Sequence, residues 1–153
     1  MRYLSLLLIA LLSVSCVSTK STIQNIDETA VRPKIKDKMF LIVDYAKDAN
    51  YAFNEDYPIN IGLVSEKYET GQVGYFFNGI EGKNGEKILY KKIDTCCPFP
   101  TTKSTMGAGT ISVYEYTIEG TTKKGKMYFN IFEKGEILCP KGFTIKKTTE
   151  ITQ

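Results

Sequence analysis

Hydrophobic and polar positions follow strand-like patterns most clearly between residues 87 and 143. Three runs in this part of the chain are rich in β-branched and aromatic residues, and they span residues 87–95, 110–119 and 126–133. Such a composition favours β-strands. In the second run the alternation changes phase at Val113 and Tyr114, which predicts either a β-bulge or a sheet that is covered on both faces. The three runs together predict an antiparallel sheet around which the domain is built.

Two hydrophobic segments upstream are also predicted to be strands. Residues 38–45 form a continuous apolar run, as expected for a strand that is buried on both faces. The Val and Ile residues of this run favour a strand over a short helix. Further along, Ile59, Ile61 and Leu63 alternate with other residues as in a short strand.

A single helix is predicted over residues 65–82. Ser65 or Thr70 is available as the N-cap, and Gly79 or Gly82 is expected to end the helix. The residues that recur at helical spacing are Tyr68, Gln72, Tyr75, Phe76 and Ile80. The fold class is therefore α+β, with one domain over residues 38–146: an antiparallel sheet of four or five strands with one helix packed on a face.

The first residues of the chain resemble an export signal. Arg2 precedes an apolar run over residues 4–12, which is far shorter than the roughly 20 residues that a membrane-spanning helix needs. The small residue Ser15 directly precedes Cys16, as lipoprotein signal peptidase requires. The sequence predicts a lipoprotein signal peptide over residues 1–15 and a lipidated Cys16, carrying fatty acids such as palmitate. The alternative is an ordinary secretory signal in which Cys16 is incidental.

The segments that flank the predicted domain are polar. Residues 16–37 contain too few apolar residues to offset the entropy of ordering them, so they are predicted to be a lipidated tether. Residues 147–153 are predicted to be a frayed tail. Without residues 1–15, 138 of the 153 residues are left, which is the size of one ordinary domain.

The charge of the mature chain gives no indication of a nucleic-acid partner. Once Arg2 is removed, 19 basic residues face 17 acidic residues, and no block of basic residues concentrates the small excess. The chain contains no histidine, which removes the commonest general base and the mechanisms that depend on it. No metal or cofactor is predicted, because structural zinc needs four ligands and three thiols alone do not supply them. The acidic pair Glu55 and Asp56 is interpreted as part of a turn.

Three cysteines lie at the ends of the predicted strands, and export makes disulfides among them compatible with the compartment. Neighbouring side chains leave opposite faces of an extended strand, so Cys96 and Cys97 are expected to point in opposite directions. We therefore expect a bridge from Cys139 to one of the pair, which leaves a single thiol. A vicinal bridge between Cys96 and Cys97 and three buried thiols are the alternatives.

Several short motifs are distributed along the chain: Tyr51, Asn54-Glu55, Pro58-Ile59, Tyr75-Phe76, Asn78, Gly82-x-Asn84-Gly85, Cys96-Cys97-Pro98-Phe99, Val113-Tyr114-Glu115 and Pro140-x-Gly142-Phe143-Thr144. Together they resemble a family of small lipoproteins of the Bacteroidota. The resemblance implies that the paired cysteines are the typical feature and that Cys139 is not. It also implies attachment to the outer membrane on the periplasmic side, because surface-exported members carry acidic residues soon after the lipidated cysteine, and Val17-Ser18-Thr19-Lys20 does not.

Many members of this family bear the name 2-dehydro-3-deoxyphosphooctonate aldolase. Enzymes of that reaction resemble (β/α)8 barrels, which need about 250 residues and a repeated strand–helix pattern. Because this chain is shorter and predicts one helix, we expect a non-catalytic cell-envelope lipoprotein. Its partner is expected to be a protein or a glycan, with the membrane contacted through the lipid. The alternative is an envelope enzyme that uses the region of Cys96 and Cys97 or a carboxylate pair.

Overall fold

The structure is a computed structural model that describes residues 21–62 and 64–147. In these residues one helix, α1 (Glu66–Asn78), accompanies eight strands. The strands are β1 (Ile35–Lys36), β2 (Met39–Phe40), β3 (Ile59–Asn60), β4 (Ile80–Glu81), β5 (Ile88–Pro100), β6 (Ala108–Ile118), β7 (Lys124–Asn130) and β8 (Thr144–Ile145).

The central sheet has four strands in the order β3-β7-β6-β5. Strands β5, β6 and β7 form the predicted antiparallel meander, whereas β3 lies parallel to β7 at the edge. There are two further sheets of two strands. One consists of β1 and β2, and the other consists of β4 and β8. The α+β class is therefore confirmed, but the prediction of one antiparallel sheet of four or five strands is wrong. The short strands outside the meander are divided among three pairings.

Residues 38–45 do not form the continuous strand that their composition predicts. Only Met39–Phe40 pairs as a strand, with β1. Further along, the backbone turns to Cys139, whose N–H donates to the carbonyl of Asp44 at 2.9 Å. Val43 is left 80% exposed beside the buried Ile42. The run is thus buried at Met39, Phe40 and Ile42 and exposed from Val43 to Tyr45, because its backbone partner changes along the run. The composition of the run does not show this change.

Helix α1 confirms the predicted helix, with Ser65 at the N-cap position and Gly79, one of the two residues expected to end it, after the last turn. Ile80, which the prediction counted in the helix, belongs to β4 instead. The buried face is different from the predicted one. It consists of Glu69, Val73, Gly74, Phe76 and Phe77, while Tyr68 is 60% exposed. Gly74 permits this orientation, because a Cβ atom there would lie 2.9 Å from the Tyr90 hydroxyl oxygen.

The change of phase in β6 coincides with both predicted features, a sheet that is covered on both faces and a bulge. Residues 111–114 are buried in succession, so both faces of the sheet are covered there. The bulge lies on the neighbouring strand: Lys92 pairs with Tyr114 and Asp94 with Val113, so Ile93 is the extra residue. A bulge of this kind bends its strand and increases the local twist.

The main core lies between α1 and the central sheet and is built largely from aromatic rings. Phe129 on β7 lies 5.4 Å from Phe76 and 5.6 Å from Phe77, between ring centroids. Phe77 also stacks on Tyr90 at 4.3 Å. A smaller cluster, formed by Ile23, Phe99 and Ile111, lies at the end of the sheet where β6 begins. The aromatic residues of this chain therefore serve mainly as core.

The N-terminal segment packs against the domain instead of forming a tether. Ile23 is only 6% exposed, and the backbone N–H groups of Gln24 and Asp27 donate to the carbonyls of Asp56 and Lys134, each at 2.8 Å. The predicted domain boundary at Lys38 is therefore wrong, and so is the tether over residues 21–37. Residues 16–20 of the predicted tether lie outside the described residues, as do residues 148–153 of the predicted tail.

A ladder of asparagine side chains joins this N-terminal segment to the central sheet. Asn130 donates through Nδ2 to Oδ1 of Asn60 at 2.9 Å, and Nδ2 of Asn60 donates to the carbonyl of Asn25 at 2.9 Å. Asn25 in turn donates to the carbonyl of Pro58 at 2.8 Å. Asn60 and Asn130 are completely buried, and an unsatisfied buried polar group costs about 1–3 kcal/mol. The ladder therefore holds residues 21–37 in one position on the sheet.

Candidate functional site

The paired cysteines lie at a second irregularity of β5. Cys96 pairs with Ile111 and Phe99 pairs with Gly109, so β5 has one more residue than β6 between these pairs. Cys97 has a φ of 54°, in the left-handed region that L-residues seldom adopt. Both side chains are half-buried against the smaller cluster. The expectation that they point to opposite faces is therefore wrong, because the chain is not extended at Cys97.

The sulfur atoms of Cys96 and Cys97 lie within bonding distance of each other. Because the two residues are neighbours in the chain, a vicinal disulfide stays a prediction. Cys139 is a free thiol in the main core and belongs to a different cluster from the pair. The expected bridge between Cys139 and the pair is therefore not formed. Burial raises the pKa of Cys139 to about 12, so this thiol has little nucleophilic thiolate at neutral pH.

Two carboxylates that sequence reasoning missed are buried, and both hold the fold together. Glu69 on α1 accepts hydrogen bonds from the Tyr114 hydroxyl at 2.9 Å and from Nζ of Lys92 at 3.0 Å. Burial, and then the charge of Glu69, raise the pKa of Tyr114, so its hydroxyl stays protonated. The sequence contains one indication that Glu69 is buried. Glu69 lies four residues before Val73 and seven before Phe76, a spacing that places all three on one helix face.

The second buried carboxylate, Glu133, accepts a hydrogen bond from the hydroxyl of Thr101. Glu28 lies nearby on the N-terminal segment and pairs with Lys103 at 3.2 Å. The hydrogen bond from Lys103 lowers the pKa of Glu28, with a smaller contribution from Glu133. These contacts join the N-terminal segment to the loop between β5 and β6. Glu133 is bonded to Thr101 and Glu28 is paired with Lys103, so both carboxylates have a structural role.

Glu55 and Asp56, the acidic pair considered for catalysis, lie in the predicted turn. The N–H of Asp56 donates to Oδ1 of Asn54, and the N–H of Tyr57 donates to the carbonyl of Asn54. Glu55 is exposed. The turn is linked to the cluster that holds the paired cysteines, because the N–H of Gln24, next to Ile23, donates to the carbonyl of Asp56.

The feature with the clearest capacity for binding is an open groove of about 570 Å³. Its walls come from three segments outside the named strands: residues 27–34, residues 41–44 and residues 136–138. We name it the valine groove, after Val31 and Val43, which line it and are 88% and 80% exposed. Sequence reasoning missed both valines, because Val31 stands alone in a polar segment and Val43 belongs to a run that reads as buried.

Residues 21–62 and 64–147 contain no group of three or more Cys, Asp or Glu side chains that could hold a metal ion. In the same residues, no helix has the length and apolar character to cross a membrane. The predicted lipidation site, Cys16, lies outside the described residues, so its lipidation stays a prediction.

Comparison with known proteins gives no match: no protein-family model, no curated protein and no solved structure is significantly similar to this chain. The resemblance to the small lipoproteins therefore stays a prediction.

Proposed function

We propose that this chain is a lipid-anchored protein of the cell envelope whose domain binds a partner protein without catalysing a reaction. The anchor follows from the apolar run over residues 4–12 and from Ser15 before Cys16. The binding role is carried by one observation: two valine side chains are almost fully exposed within a single groove. An exposed apolar patch that is rimmed by polar residues is typical of an interaction site.

The form of the valine groove favours an extended peptide segment as its occupant. Val31 and Val43 lie outside the strands, and neither makes a backbone–backbone hydrogen bond with any described residue. Their N–H and C=O groups are therefore free to pair with another chain, while their side chains supply an apolar surface. Peptides that add to a sheet edge are bound by this combination of backbone hydrogen bonds and side-chain contacts.

The charges around the groove further restrict the partner. Three carboxylates line it, from Asp27, Asp44 and Glu136, against the two bases Arg32 and Lys34. Arg32 already donates to the carbonyl of Ile61 at 2.7 Å. The rim thus has a small excess of negative charge, which favours a partner segment that is neutral or basic and carries apolar side chains.

Aspartate substitutions test the groove. We expect Val31→Asp and Val43→Asp each to reduce cross-linking of the full-length protein to its envelope partner by about tenfold or more, because a carboxylate must lose its hydration to enter the contact. Cross-linking in intact cells followed by mass spectrometry measures this. Met106→Asp is the matched control, since Met106 is also 88% exposed but lies outside the groove.

The same measurement can contradict the proposal in three ways. Wild-type protein that cross-links to no other protein would contradict it, and so would a partner retained equally by Val31→Asp and Met106→Asp. A cross-link only to a second copy of the chain would also contradict it. Exposed substitutions usually change stability by no more than about 0.5 kcal/mol, so a melting curve for each variant shows that the fold is intact.

The anchor has a separate test. Metabolic labelling with a fatty acid is expected to tag the wild-type protein and to leave the Cys16→Ala variant untagged. Protease added to intact cells is expected to leave the protein uncut, because the resemblance places it on the periplasmic side of the outer membrane. Equal labelling of both proteins would show that Cys16 is not the lipidated residue, and cleavage in intact cells would place the domain on the cell surface.

A further inference from the structure

A second pocket, of about 450 Å³, lies at one end of the central sheet and is lined by four lysines. Lys123 and Lys124 come from the β6–β7 hairpin, Lys83 from the turn after β4, and Lys141 from the turn before β8. We name it the lysine pocket. The four residues are distributed over the sequence from 83 to 141, so the site cannot be recognised from a block of basic residues.

Aromatic side chains form part of the wall of the lysine pocket. The ring of Tyr116 packs edge-to-face against Phe143, with centroids 5.2 Å apart. Gly125 leaves room for this ring, since a Cβ atom there would lie 2.7 Å from the Tyr116 hydroxyl oxygen. Burial raises the pKa of Tyr116. Its hydroxyl is therefore protonated at neutral pH and adds no negative charge to the pocket.

The positive charge of the lysine pocket is only partly balanced by the protein. Glu86 is the carboxylate that lines it, and both Glu86 oxygens already accept hydrogen bonds from Asn84, at 2.9 Å and 2.8 Å. The ion pairs among the described residues involve Lys91, Lys92 and Lys103, which lie elsewhere. Four lysines thus face one carboxylate, which leaves a net positive charge, and a concave surface with an excess of one sign concentrates ions of the opposite sign.

We propose that the lysine pocket binds a small anion that carries two or more phosphate or carboxylate groups. Lysine binds such groups as a point charge, and four ammonium groups from three turns can surround a compact ligand. The pocket has the volume of a small-molecule site, which is typically about 300–1,000 Å³. This site is distinct from the valine groove, and no residue lines both.

The position of the pocket favours a soluble anion over a phospholipid headgroup of the protein's own membrane. Ile23, near the point where the described chain begins, packs in the smaller cluster with Ile111. Ile118, which lines the lysine pocket, is seven residues further along the same strand, a distance of about 23 Å at the rise of a β-strand. The described chain that leads back to Cys16, the anchor proposed above, therefore meets the domain at the opposite end of the sheet from the pocket.

Calorimetric titration with pyrophosphate tests the site on the full chain in a neutral detergent. We expect pyrophosphate to bind the wild-type protein, and the double variant Lys123→Gln, Lys141→Gln to bind it at least about tenfold more weakly. The double variant Lys36→Gln, Lys47→Gln is the control, because it removes the same charge from two exposed lysines outside the pocket. We expect it to retain wild-type affinity.

Absence of pyrophosphate binding would overturn the proposal, and so would equal weakening in the two double variants, which would indicate attraction to net charge alone. A parallel measurement uses vesicles of phosphatidylglycerol, with phosphatidylcholine vesicles for comparison. Binding to phosphatidylglycerol that needs Lys123 and Lys141, without binding to pyrophosphate, would assign the pocket to lipid headgroups and overturn the soluble ligand. These titrations do not depend on the fatty-acid labelling, so the proposed anchor and the proposed anion site are tested independently.

Discussion

Replacing Phe129 with alanine is expected to lower the free energy of unfolding by about 3–5 kcal/mol, the range for removing a large aromatic side chain from a core. Phe129 is completely buried. Its ring contacts the rings of Phe76 and Tyr114, at centroid distances of 5.4 Å and 5.3 Å. These neighbours belong to α1 and β6, so the cavity would open between the helix and the sheet. Urea unfolding followed by circular dichroism measures the loss.

The expected loss is a large part of the stability of a domain, which is typically about 5–15 kcal/mol. The control is Tyr68→Ala, which also removes an aromatic ring but from a side chain that is 60% exposed. We expect this control to change stability by less than about 1 kcal/mol. Similar losses in both variants would show that α1 packs on the sheet through a different face from the one described above.

The elements that could be predicted from the sequence are those whose pattern is local. The meander β5-β6-β7 lies where β-branched and aromatic residues recur, and α1 begins and ends at the predicted capping residues. The buried face of α1 could not be predicted in the same way. Gly74 has no side chain to contribute to a periodic pattern, yet the space that it leaves for the Tyr90 hydroxyl permits the helix to lie on the sheet as it does.

The candidate binding sites depend on contacts between distant segments, and for this reason they could not be predicted. The valine groove brings residues 27–34 beside residues 136–138, and the lysine pocket brings Lys83 beside Lys141. In the linear sequence residues 27–34 and the turns that carry Lys83 and Lys141 are of ordinary polar composition, and residues 136–138 are a short run of Glu-Ile-Leu without a binding motif. The paired cysteines were noticed from the sequence, but the left-handed backbone of Cys97 that places both side chains in one cluster was not predicted.

The packing of the N-terminal segment also depends on contacts between distant segments, so it could not be predicted from the sequence. Replacing Ile23 with alanine tests this packing. We expect the Ile23→Ala variant to lose about 2–4 kcal/mol of stability, since removal of a buried Ile side chain loses its transfer energy and leaves a cavity. Ile23 packs against Phe99 and Ile111, and the backbone of Gln24 beside it is hydrogen-bonded to Asp56. At about 4 °C per kcal/mol for a domain of this size, melting is expected about 10 °C lower.

Ile35→Ala is the matched control, because Ile35 belongs to the same polar segment but is 49% exposed. The two variants remove the same atoms, so the difference between their melting temperatures reports the environment of the side chain alone. If residues 21–37 were the tether that their composition predicts, both variants would have the melting temperature of the wild-type protein. A loss confined to Ile23→Ala would instead place the start of the folded domain ahead of Lys38, at Ile23 or before it. It would also make the segment that forms one wall of the valine groove a fixed part of the binding surface.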